Sequence, residues 1–161
     1  MIRRPPRSTP SNSSAASDVY KRQAHAVKSR IEKSTYLLAF DLHETPEDTL
    51  DGFMTFENVP EGKPDYGIGP KAPDSVRKVG LPVAGDRTDD WDIPGYIREN
   101  PPLDQCFEGF SALLGAYAYT FETPGDNFNS SLPVKDRVKM DLVAMDYIIS
   151  EYMKIEKEKH T

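Results

Sequence analysis

The sequence predicts an α/β fold, and three stretches carry that prediction. Tyr36 to Leu42 is a short continuous apolar run, Ala116 to Phe121 is an aromatic run with partial alternation, and Pro133 to about Glu156 carries a helical repeat. A chain of 161 residues has room for one domain and one core. Its 37% hydrophobic content, with both signs of charge, suits a globular protein.

The elements follow in order. From Ala24 to Lys33, apolar Ala26, Val27 and Ile31 sit among Lys28, Arg30 and Glu32, which suits a helix. The run from Tyr36 to Leu42 is apolar at successive positions, so it reads as a strand buried on both faces inside a parallel or mixed sheet. Residues 44 to 75 hold Pro46, Pro60, Pro64, Pro70 and Pro73 among Gly, Asp and Glu, and they read as a long irregular excursion. Gly67 and Gly69 lack the spacing of a dinucleotide loop and read as a turn. A weak strand is expected around Val76 to Val83, then a second Pro- and Asp-rich stretch at 85 to 102. Order returns with a short helix at Leu103 to Leu114 and the aromatic strand. In the last helix Val138, Leu142, Met145, Ile149 and Tyr152 recur at steps of four and three, which predicts that this stripe packs on the sheet. Pro133 fits its first turn.

Composition excludes some functions. No run approaches the roughly 18 to 20 apolar residues of a membrane span. Residues 1–23 combine Arg, Pro and Ser with almost no aliphatic residue; they resemble translated sequencing-adapter sequence and are expected to form a disordered tail without chemistry. They hold Arg3, Arg4, Arg7, Lys21 and Arg22 against Asp18, so the remainder is more acidic than the whole chain's net −6. Such a body repels polyphosphate and argues against nucleic-acid binding. The single cysteine, Cys106, can form no internal disulfide; it reads as a small filler near a helix start and permits a reducing, cytoplasmic compartment.

Of three histidines, His25 lies in the first helical segment and His160 near the charged C-terminus. His43 directly follows the buried run, and the carboxyl ends of strands are where open α/β sheets bind ligands. With Asp41 and Glu44 beside it, it is a candidate metal ligand. Glu122 ends the second strand before Thr123-Pro124-Gly125, and a carboxylate there would face the same crevice if the strands are neighbours. An imidazole and a carboxylate at adjacent strand ends suit metal-assisted hydrolysis.

The segment Asp41-Leu42-His43-Glu44-Thr45 resembles one in zinc carboxypeptidase relatives, where the histidine after a core strand is a zinc ligand. Tyr119-Thr120-Phe121-Glu122-Thr123-Pro124 is similar to the segment of that family whose glutamate is general base and acid. The two stand in family order. The resemblance implies that residues 24–161 are the C-terminal part of a catalytic domain, a three-layer α/β/α sandwich with a mixed sheet. It implies a zinc hydrolase acting on a peptide or acyl-amino-acid substrate, with His43 on the metal and Glu122 moving protons. Tyr96, in a Pro94-Gly95-Tyr96 turn, is the candidate for the mobile substrate-covering tyrosine of some members.

The sequence also departs from the family. No histidine begins the H-x-x-E segment that supplies the other zinc ligands, so the chain is expected to be a fragment that holds the metal poorly. Arg87 and Arg98 are poor substitutes for the family's carboxylate-binding arginine and read as solvated surface charges. Two alternatives stand beside a metallocarboxypeptidase: a hydrolase like succinylglutamate desuccinylase and aspartoacylase, and a non-catalytic binding domain of the same fold.

Overall fold

A computed structural model describes residues 22, 25–45, 51–85, 92–98, 106–125 and 132–160. The expected tail at 1–23 lies outside the described residues apart from Arg22. The chain divides into two units, Met1–Thr35 and Tyr36–Thr161. In the first, residues 25–31 are helical, and the Glu32 amide closes the end on the Lys28 carbonyl at 3.0 Å.

The second unit contains β1 (Leu38–Thr45), β2 (Met54–Asn58), α1 (Ala72–Lys78), β3 (Tyr96–Arg98), α2 (Phe107–Leu113), β4 (Tyr117–Pro124) and α3 (Val134–Glu158). The strands form one mixed sheet in the order β1-β4-β2-β3, with β1 parallel to β4, β2 antiparallel to β4 and β2 parallel to β3. This is the mixed α/β architecture that the sequence predicts.

Side chains alternate across a strand, which assigns the two faces. Tyr117, Tyr119 and Phe121 of β4 point into the main core with Phe53, Val76, Met140, Ala144, Ile148 and Tyr152. Aromatic contacts knit this layer: the Phe53 and Phe121 rings meet edge to face at 5.2 Å, and the Tyr117 and Tyr152 rings are tilted against each other at 4.9 Å. Helices α1 and α3 pack together on this face. Helix α2 packs on β4, β1 and β2. Ala118 and Thr120 are buried and, by alternation, turned to the opposite face from Tyr117 and Tyr119.

Several expectations are corrected. The excursion at 44–75 contains β2, a 3-10 turn at Gly69–Lys71 and the start of α1. The expected strand at Val76–Val83 is instead the end of α1, and Val83 forms an isolated bridge to Phe53. Pro73 in the first turn of α1 starts that helix rather than breaking it. Strand β3 interrupts the second Pro-rich stretch. β1 begins later than expected and is an edge strand among the described residues, so Tyr36, Leu37 and Leu42 are exposed.

The stripe on α3 is also shifted. Of the expected stripe Tyr152 is buried and Met145 packs against the core, whereas Val138, Leu142 and Ile149 are exposed, Leu142 by 58%; Arg137, Met140, Ala144 and Ile148 are buried in their place. Both sets have helical spacing and differ by about one residue's rotation. Helix α3 thus carries a second apolar stripe that points away from the core.

Candidate functional site

Strands β1 and β4 run parallel with His43 directly opposite Glu122. Partners at the same register point to the same face, so the two side chains rise together near the carboxyl ends of neighbouring strands. Two further hydrogen bonds hold this end: the Thr123 hydroxyl donates to the His43 carbonyl at 3.3 Å, and the Gly125 amide to the Thr45 carbonyl at 2.9 Å.

The His43 ring lies between two carboxylates. Its Nδ1 is 3.3 Å from Glu122 Oε1 and its Nε2 is 3.1 Å from Asp41 Oδ2. A doubly protonated ring can donate to both, while a neutral ring donates to one. The His43 side chain is 49% exposed and that of Glu122 18%, so the imidazole meets solvent while the carboxylate is largely shielded. Thr45 completes the group, donating its hydroxyl to Glu122 Oε2 at 2.5 Å. Asp41, His43 and Thr45 are alternate residues of β1 and therefore share the face of Glu122. On the next strand Met54 stands opposite Glu122, an apolar neighbour on the same face.

Glu44 does not join this group. Alternation turns it to the core face, where Oε1 pairs with Arg137 Nη1 at 2.8 Å. Arg137 is buried and also donates to the Pro124 carbonyl at 3.4 Å. Asp141, next along that side of α3, has its carboxyl pushed up to about 6 by burial and then by the negative charge of Glu44.

Tyr96 lies elsewhere. It pairs in register with Thr55, which faces the core with Phe121, and its hydroxyl donates to Glu57 Oε2 at 2.8 Å. Tyr96 is therefore on the opposite face of the sheet from His43 and Glu122, and burial followed by the hydrogen bond to Glu57 raises its phenol above the ordinary range. Arg98 is no solvated surface charge: Nη1 pairs with Glu57 Oε2 at 2.7 Å and Nη2 with Asp65. Arg87 lies outside the described residues.

Sequence reasoning missed Glu57. It is 1% exposed and accepts hydrogen bonds from Tyr96, Arg98 and the Tyr119 hydroxyl, the last at 2.8 Å on Oε1. The Tyr119 hydroxyl also meets that of Tyr152 at 3.1 Å. A strand reading of residues 54–58 would have turned Thr55 and Glu57 to one face, but the surrounding prolines and glycines masked it. Cys106 occupies the N-cap position of α2 and is half-buried, at the helix start where it was expected.

A catalytic zinc takes three protein ligands and an open position. Here both imidazole nitrogens face carboxylates, and among the described residues no group of three or more His, Cys, Asp or Glu is arranged to hold a metal ion. The described residues alone do not fit a complete zinc centre.

Fold and site together define a mixed α/β protein with a histidine–carboxylate cluster near the carboxyl ends of two parallel strands. No protein-family model and no curated protein matches the sequence. Among solved structures, the chain is distantly similar to a candidate metallopeptidase of Shewanella amazonensis SB2B, at 20% identity and a TM-score of 0.49, covering 81% of this chain and 44% of that one. A candidate metallopeptidase of Shewanella denitrificans OS217 matches at 23% identity and a TM-score of 0.46, covering 68% of this chain and 40% of that one. The chain spans less than half the length of either structure. Likeness at this level assigns neither family nor activity. Among the described residues no helix is long and apolar enough to cross a membrane.

Proposed function

We propose that this chain is part of a metallopeptidase-like hydrolase that cleaves an amide bond, either at the C-terminus of a peptide or in an acyl-amino acid. The reading is carried by one observation, the juxtaposition of His43 and Glu122 at 3.3 Å on one sheet face. Were zinc bound, His43 would be one of its ligands; the described residues do not supply the others. Bound zinc would supply Lewis acidity toward the carbonyl. Glu122 accepts the proton of the attacking water and returns it to the leaving amine, a role that suits a largely shielded carboxylate. Asp41 holds the His43 ring through Nε2, as an outer carboxylate orients a ligating imidazole. Tyr96 has no part in this site.

The test compares the wild-type chain with E122Q and H43A, following zinc content by elemental analysis and hydrolysis of an N-acyl dipeptide and an N-acyl amino acid. E122Q should take up as much zinc as the wild-type chain and lose about 100-fold or more in kcat, and H43A should take up less. Full activity in E122Q would end this reading, and the ratio of rates on the two substrates assigns the substrate class. The incomplete donor set favours one competitor, a binding module of the same fold. A wild-type chain that binds either N-acyl compound in calorimetry without zinc and without hydrolysing it would favour that competitor.

A further inference from the structure

We propose that Thr45 is a positioning residue for Glu122, clamping one carboxylate oxygen so that the other is presented toward His43 and the reacting proton. The inference rests on the hydrolase reading above and names a residue which that reading does not require. A carboxylate at a strand end turns freely about its last side-chain bond, a broad and weakly preferred torsion. Glu122 is not free to do so. Thr45 donates to Oε2 at 2.5 Å, whereas Oε1 stands 3.3 Å from His43 Nδ1, beyond the roughly 2.7 to 2.9 Å of a strong charge-assisted bond. The two oxygens are therefore unequal: Oε2 is tightly held, and Oε1 is the more available acceptor.

The clamp is built into the strand. Thr45 follows His43 by two residues, so the pleat that lifts the imidazole lifts the hydroxyl on the same side. Its β-branched side chain has few χ1 options, and the Gly125 amide fixes its carbonyl at 2.9 Å. Throughout a turnover Thr45 keeps its own proton. The proton exchanged with water and amine resides on Glu122.

Two variants separate the hydroxyl from the packing: T45V keeps the shape and removes the donor, and T45S keeps the donor. In the isotope-labelled full chain at one fixed pH, the Glu122 Cδ and His43 ring-nitrogen resonances should match wild type in T45S and be displaced in T45V. In hydrolysis of the N-acyl dipeptide, T45V should lower kcat by about 10- to 100-fold with KM nearly unchanged, as expected for a misplaced catalytic group, and T45S should restore it. Unchanged resonances in T45V, or a T45S variant that behaves like T45V, would overturn the proposal. Loss of the hydrolase reading is seen separately, as an E122Q variant with full activity, and the resonance comparison would then still decide whether Thr45 sets the Glu122 carboxylate.

Discussion

Asp141 shows how one residue couples burial to pH. It lies one helical turn beyond Arg137, its Oδ1 is buried without a hydrogen-bond partner among the described residues, and Glu44 adds negative charge nearby. The carboxyl, ordinarily near 3.8, is pushed up to about 6 in the folded chain. Between those values the folded state binds more protons than the unfolded state, so stability falls as pH rises through this window. The charged carboxylate then opposes folding at neutral pH. D141N should therefore be more stable than wild type at pH 7.5, by about 1 kcal/mol after allowing for solvent screening, and no more stable at pH 3.5. Urea midpoints at the two pH values check this, and an equal gain at both would show that charge is not the cause.

At the scale of elements, α3 is the informative case. Its approximate length was legible, because a helical repeat of apolar residues runs from just after Pro133 to near the C-terminus, and Pro133 stands at the N-cap of the helix. Its orientation was not. The buried side holds Ala144 and Arg137, which a search for large apolar residues passes over, while the bulkier Val138, Leu142 and Ile149 point outward. Ala144 is fully buried in the core cluster, where a small residue lets neighbouring elements approach closely. A144L should destabilise the chain by about 1–3 kcal/mol through overpacking, whereas L142Q should stay within about 0.5 kcal/mol of wild type. Chemical denaturation of both variants distinguishes this packing from the stripe that the sequence suggested. The reverse order of effects would place the sheet against the wrong side of α3.

For the whole molecule, the sheet and its main helix meet at Glu57. Its carboxylate draws together β2, β3 and β4 through Tyr96, Arg98 and Tyr119, and Tyr119 passes the contact to Tyr152 of α3. Burial first, then the Glu57 charge, drives the Tyr119 phenol well above its ordinary range, so it remains a donor. Removing the carboxylate takes the acceptor from Tyr96 and one of two partners each from Arg98, which keeps Asp65, and Tyr119, which keeps Tyr152. E57A should therefore cost about 3 kcal/mol or more, with β3 loosened along with the core. Amide exchange reports this as lost protection across all four elements; loss confined to β2 would show that the network does not couple them.

Residue chemistry and local pattern were available from the amino-acid order itself: an aromatic strand, a long helix, and an imidazole and a carboxylate each beside a β-strand. Chain folding alone decided that β1 lies parallel and adjacent to β4 with positions 43 and 122 in register, that Glu44 and Tyr96 turn to the other face, and that Glu57 is buried. Local order determines propensity and alternation, which act over a few residues. Pairing, register and the choice of buried face depend on contacts between segments far apart in the chain, and these exist only once the sheet has formed.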